Sequence, residues 1–137
     1  MNKNFRDILY ASPAFAFAIP TFPVMIFLPA LYTESFGLEV AKVGFFLFIA
    51  KMIDILTDPF IGWVNDKCII SRKLLIIIGS LISGIALCKL FLIKELPFDS
   101  YLLIWIALLY FGWTLFQIPY LSIGYDLENN YFNRTKL

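Results

Sequence analysis

The sequence predicts an all-α integral membrane protein with about four transmembrane helices. Hydrophobic residues make up 61% of the 137-residue chain and charged residues only 15%, against roughly 45–50% and ~25% in average soluble domains. A soluble core of this size cannot bury that excess, so lipid must cover it. Four long apolar runs are separated by short polar stretches. We therefore expect a four-helix transmembrane region at 8–125, with a polar N-terminus at 1–7 and a polar tail at 126–137.

Charge and residue usage narrow the functional classes. The formal net charge is +1 and histidine is absent. Nothing in the charge argues for nucleic acid as a partner, and the usual imidazole ligands and general bases are missing. Cys68 and Cys88 form no CxxC motif, which favours two free thiols. Composition therefore indicates the lipid bilayer as partner and gives no sign of an enzyme or a cofactor.

The first apolar run, 8–32, contains Pro13, Pro20, Pro23 and Pro29. Prolines break soluble helices, but membrane helices tolerate them where neighbouring groups satisfy the freed carbonyls. We expect a kinked helix whose concave side packs against protein.

The second run, 43–66, carries charges where lipid is expected. Asp54, Thr57 and Asp58 follow at i, i+3 and i+4 and share one helix face, which Lys51 joins one turn earlier. A charge at the bilayer centre costs about 2.5–3.5 kcal/mol on insertion scales, so such residues tend to face protein or water and to be functional. A hard cation or a proton relay requires this kind of oxygen cluster. The alternative is a self-neutralised pair that only holds helices together.

The third run, 74–93, has small residues at four-residue spacing, Gly79 with Ser83 and Ser80 with Gly84. Such pairs allow close helix approach. Lysine and arginine favour the sides that hold both termini and the middle loop. The positive-inside rule then places both termini in the cytoplasm.

The fourth run, 101–125, has its own polar face. Thr114 and Gln117 lie three residues apart, deep in the apolar run. Two interpretations are open at this point. The pair makes an ordinary interhelical hydrogen bond, or it faces the carboxylates of the second run.

Three motifs in order span nearly the whole chain: LYASPAF at 9–15 with LPALYTESFGL at 28–38, KMIDILTDPFIGWVNDK at 51–67, and QIPYLS at 117–122. Together they resemble the glycoside–pentoside–hexuronide:cation symporters, the melibiose-permease-like branch of the major facilitator superfamily (MFS). The resemblance implies the first four helices of an MFS N-terminal bundle. It also implies a sugar symporter coupled to Na+ or H+, multi-pass in the bacterial inner membrane.

The resemblance implies roles for four residues in cation binding. Asp54 and Asp58 match the two carboxylates that coordinate the coupling cation, so a Na+ would lie at this pair. Thr57 matches an oxygen ligand between them, and Thr114 matches a hydroxyl of the fourth helix.

The predicted sugar side departs from the family pattern. Gln117 stands where relatives carry an acidic sugar ligand, and Leu121 stands where an aromatic residue is expected. Ala18 aligns near a position that is acidic in relatives. Lys51 takes the place of a basic residue. Gln117 and Lys51 remain the candidate contacts for a sugar or glycoside.

Length is a further departure, because alternating access needs two bundles that move around a midplane site. We therefore expect an N-terminal fragment that is inactive alone and whose partner is the missing C-terminal part. A small oligomeric four-helix transporter is one alternative. A membrane-embedded phosphotransferase is another, but its Asp-Gly-x-x-Ala-Arg pattern is absent, since Ile55 follows Asp54.

Overall fold

The computed structural model describes residues 3–67, 70–98 and 100–127. Within them every regular element is helical: α1 (Lys3–Ala30), a π-helical turn (Leu31–Ser35), α2 (Val40–Asp66), α3 (Arg72–Phe91) and α4 (Tyr101–Leu127). The all-α fold class is thereby confirmed. Cys68 and the tail residues 128–137 lie outside the described residues, while Cys88 is a free, exposed thiol.

Two of the described helices are long and apolar enough to cross a membrane, Arg72–Phe91 and the part of α4 at Tyr101–Ile123. Large apolar side chains also cover the outward faces of the other two helices. Phe22 and Met25 on α1 and Leu56 on α2 are each more than two-thirds exposed. Exposed apolar surface of this extent is typical of lipid or protein contact.

α1 runs unbroken through its four prolines and then widens into the π-helical turn. The change of pitch follows Pro29, and the Thr33 hydroxyl lies 3.0 Å from the Pro29 carbonyl oxygen and 3.2 Å from that of Ala30. This hydroxyl adds a side-chain hydrogen bond to the backbone where the two helical pitches meet. Gly37 then ends the turn at φ 69°, a left-handed conformation that glycine adopts without a steric penalty.

α3 and α4 cross with their backbones in contact. A Cβ atom at Gly79 would lie 2.7 Å from the Gly112 carbonyl oxygen, and one at Gly112 would lie 2.8 Å from the Ser83 backbone nitrogen. The close approach predicted for Gly79 and Ser83 is confirmed. The second predicted pair takes no part, because a Cβ at Gly84 would meet nothing within 4 Å and the Ser80 hydroxyl donates to its own helix.

The main core lies where α1 ends, α2 begins and α3 meets α4. Its buried members come from all four helices and the π-helical turn: Val24, Leu28, Tyr32, Val43, Phe46, Ala50, Ala86, Leu90, Leu102, Ile106 and Leu109. Tyr32 anchors the group, since its hydroxyl donates to the Leu90 carbonyl oxygen at 3.2 Å. This core packs the first half of α2 against the first half of α4. The polar residues discussed below follow it in both helices.

Candidate functional site

The predicted polar residues of α2 and α4 meet around one hydroxyl. Thr114 is only 5% exposed, and its Oγ1 lies 2.8 Å from Asp54 Oδ1 and 2.8 Å from Asp58 Oδ1. The four-residue spacing on α2 places both carboxylates on the face toward α4. Of the two interpretations of Thr114, the structure therefore supports the one in which it faces the carboxylates.

The hydroxyl of Thr114 has one proton for two carboxylate contacts. A threonine hydroxyl donates a single hydrogen bond and accepts through its lone pairs. It can therefore donate to Asp54 or to Asp58, while the other short oxygen–oxygen contact needs a proton on that carboxyl group or a cation nearby. The arrangement is thus chemically suited to taking up one positive charge.

Lys51 forms an ion pair with the second carboxylate oxygen of Asp54. Its Nζ lies 2.5 Å from Asp54 Oδ2 and 5.0 Å from the centre of the Tyr110 ring, in a cation–π contact. The Lys51 side chain is 59% exposed, whereas that of Asp54 is only 10% exposed. Asp54 therefore directs one oxygen to an ammonium and the other to a hydroxyl.

Tyr110 was not among the predicted site residues. It lies four residues before Thr114 and so shares a face of α4 with it, a spacing that was readable in the sequence.

Thr57 occupies a different position from the other predicted cation ligands. Its hydroxyl donates to the backbone carbonyl of Asp54 at 2.9 Å, a common choice for threonine within a helix. The oxygen keeps lone pairs for a cation, but its proton is directed to the helix backbone and not to a carboxylate. Its role as a ligand stays a prediction.

The described residues contain no group of three or more histidine, cysteine, aspartate or glutamate side chains that could hold a metal ion. A cation at this site would have two carboxylates, and its other ligands would be neutral oxygens. Oxygen ligands of this kind suit hard cations.

A cavity of about 260 Å³ adjoins the carboxylates and is lined by Lys51, Asp54, Asp58, Trp113, Thr114, Gln117, Ile118 and Leu121. A second cavity of about 270 Å³ lies beside it and is lined by Ala18, Thr21, Trp113, Phe116, Gln117, Tyr120 and Leu121. Trp113, Gln117 and Leu121 belong to both walls. These three residues follow at four-residue spacing on α4 and form the wall between a cavity with charged lining residues and one without.

Two of the departures from the family pattern, Ala18 and Leu121, lie in the wall of the uncharged cavity. Gln117 is exposed and reaches both cavities, whereas Lys51 lines only the charged one. The two residues predicted to contact a sugar are therefore brought to the same region by the fold.

Trp113 is a site residue that the sequence motifs did not single out. Its indole Nε1 is buried and has no hydrogen-bond partner among the described residues. Buried tryptophan N–H groups usually find a partner, so an unpaired one in the wall of two cavities marks a position where an acceptor is needed. The signal in the sequence is its spacing of four residues from Gln117.

The family described as MFS/sugar transport protein matches residues 9–137, which is nearly the whole chain. The chain belongs to this family. Membership confirms the resemblance drawn from the motifs and places the chain among membrane transporters and not among enzymes.

Two relatives carry symporter names. The uncharacterized symporter YnaJ of Bacillus subtilis is 40% identical over 58 residues, which are 42% of this chain and 12% of YnaJ. The inner membrane symporter YicJ of Escherichia coli is 27% identical over 121 residues, which are 83% of this chain and 26% of YicJ. This chain therefore spans about a quarter of YicJ. No solved structure matches it at a significant level.

Proposed function

We propose that this chain forms the cation-binding part of a sugar symporter coupled to Na+ or H+. The contact of one Thr114 hydroxyl with both Asp54 and Asp58 carries this proposal. It brings two carboxylate oxygens within reach of one small ion. The single hydroxyl proton of Thr114 can be donated to only one of them. Lys51 neutralises part of the negative charge without covering Asp58, which stays exposed beside the cavity.

The neighbouring uncharged cavity suits part of a sugar or glycoside. The buried Nε1 of Trp113 supplies a donor that has no partner in the described part of the chain, and a sugar hydroxyl is an acceptor of the right kind. The Gln117 amide adds both donors and acceptors, and aromatic rings of Trp113 and Tyr120 offer apolar faces. Because Gln117 spans both cavities, a bound solute would lie next to the cation.

Complete transport requires more than these helices. Alternating access moves one bundle against another around a midplane site, and relatives such as YicJ are about four times longer than the matched part. We infer that segments corresponding to the rest of those relatives supply the second wall. We further propose four spans in the bacterial inner membrane with both termini in the cytoplasm, as the lysine and arginine distribution favours.

Cation binding can be tested on the purified 137-residue chain in detergent. If Na+ is the coupling ion, NaCl should stabilise the chain relative to choline chloride, by about 1 kcal/mol when Na+ is several-fold above its Kd. Asp58→Asn should abolish that shift, since it removes a charged ligand while keeping shape. Asp66→Asn, on an exposed residue of the same helix, is the matched control.

If the coupling ion is a proton, no Na⁺-specific shift is expected, but the residue that matters is the same. Asp58→Asn should then stabilise the chain relative to the wild type, since its amide can donate to Thr114 without taking up a proton. A chain whose stability responds neither to Na⁺ through Asp58 nor to the Asp58→Asn change itself would contradict the proposal.

A further inference from the structure

The formal charges around the cavity beside α2 and α4 do not cancel. Lys51, Asp54 and Asp58 are the residues of its lining that carry a formal charge, and its other lining residues carry none. Tyr110, which contacts the Lys51 ammonium, is neutral at pH 7. Two carboxylates and one ammonium therefore leave a single unit of negative charge.

The remaining charge is localised on Asp58. Lys51 pairs with Asp54 on the oxygen that Thr114 does not contact. In the described part of the chain no ammonium or guanidinium pairs with Asp58, whose side chain contacts the Thr114 hydroxyl. Among the described residues Asp54 is thus paired with an ammonium, whereas Asp58 is the carboxylate without a cationic partner.

We propose that Lys51 sets the valence of the cation. This inference rests on the proposed cation-binding function and adds that Lys51 acts as a built-in monovalent counter-ion. With Lys51 in place, one Na+ or one proton makes the site neutral. A divalent ion would leave an excess positive charge next to an ammonium, and like charges a few Å apart at a protein surface still repel each other.

Removing the lysine charge should change the class of ion that binds. Two carboxylates with neutral oxygens and water form the ligand set that Ca²⁺ prefers. Lys51 is also more than half exposed, so its replacement leaves little buried volume to refill. The expected consequence of Lys51→Met is a gain of Ca²⁺ binding and not a simple loss of Na⁺ binding.

The test is thermal unfolding of the purified chain in detergent with NaCl, CaCl₂ or choline chloride at matched ionic strength. The wild type should show no Ca²⁺-specific rise in Tm. Lys51→Met should gain one, with an apparent Ca²⁺ affinity at least about tenfold above that of the wild type. Adding Asp58→Asn to this variant should remove the gain.

Two controls separate charge from size. Lys51→Arg keeps the positive charge and should behave as the wild type toward Ca²⁺. Lys89→Met makes the same chemical change at an exposed lysine of α3, away from the cavity, and should gain nothing. A Ca²⁺ response in Lys89→Met equal to that of Lys51→Met would overturn the inference, as would no response in Lys51→Met.

The wild-type chain decides the matter if Lys51→Met does not fold. Isothermal titration should then show no Ca²⁺ binding that depends on Asp58, and such binding would refute the role of Lys51. Failure of the proposed function gives a different result, since the wild type would show no Na⁺ response and Asp58→Asn would leave its stability unchanged. A normal wild-type response together with an unchanged ion preference in Lys51→Met defeats the valence inference alone.

Discussion

Thr114→Val is the most informative single change at the α2–α4 interface. Valine keeps the shape of threonine but removes the hydroxyl that contacts both carboxylates. A hydrogen bond to a charged group contributes about 1.5–3 kcal/mol in water-soluble proteins, whereas interhelical polar contacts in membranes average about 0.6 and reach ~1.7 kcal/mol. Thr114 and Asp54 are both buried, but Asp54 keeps Lys51 and Asp58 can be hydrated. We therefore expect a loss of about 1–2 kcal/mol in the free energy of unfolding.

The assay is unfolding of the detergent-solubilised chain by added SDS, followed by circular dichroism, with and without NaCl. Thr114→Ser retains the hydroxyl and should keep most of any Na⁺-dependent stabilisation, whereas Thr114→Val should lose it. Thr33→Val is the matched control, because its hydroxyl contacts only carbonyls of its own helix, outside the site.

Thr57→Val tests the geometry within α2 itself. The Thr57 hydroxyl donates to the Asp54 backbone carbonyl, so its loss should cost less stability than the loss of the Thr114 hydroxyl. If Thr114→Val matches Thr33→Val in both stability and Na⁺ response, the bridge between the carboxylates has no energetic role and the reasoning fails.

The remaining predictions concern helix packing, topology and transport. Gly79→Ala should destabilise the chain by about 1–3 kcal/mol, because its Cβ would lie 2.7 Å from the Gly112 carbonyl oxygen. Gly84→Ala, with open space at its Cβ, should be neutral or slightly stabilising because alanine favours the helix, and equal losses in both variants would argue against the close crossing. Reporter fusions should read outside at Ser35 and inside at Ile70, and an outside signal at Ile70 would exclude the four-span topology. Proteoliposomes holding this chain alone should show no cation-coupled sugar uptake, and robust uptake would instead favour a small oligomeric transporter.

The helices and the polar face of α2 could be predicted because both depend on local sequence. Each of the four predicted apolar runs appears as a helix. The spacing of Asp54 and Asp58 places them on one face of any α-helix. Lys51 follows by the same rule, and its ion pair with Asp54 is a contact within one helix.

Contacts between helices could not be predicted in the same way. Spacing indicates which residues of α4 share a face, but it does not give the rotation or height of α4 against α2. For this reason Thr114 had two equal interpretations, and Gly112 was not recognised as the partner of Gly79. Thr57 shows that a shared helix face does not fix the hydrogen-bond partner. It lies on the face of the carboxylates, but its hydroxyl donates to the backbone.

Three charged side chains within the central apolar stretch of α2, Lys51, Asp54 and Asp58, are difficult to explain as structure alone. Replacing a buried ion pair by apolar residues is often neutral or stabilising, and each charge near the bilayer centre costs about 2.5–3.5 kcal/mol on insertion scales. An internal pair that holds helices together needs one carboxylate and one ammonium, which Asp54 and Lys51 already supply. Asp58 is exposed beside the cavity and has no cationic partner among the described residues. The structural interpretation of α2 therefore accounts for Lys51 and Asp54, whereas the proposed cation site also gives Asp58 a role.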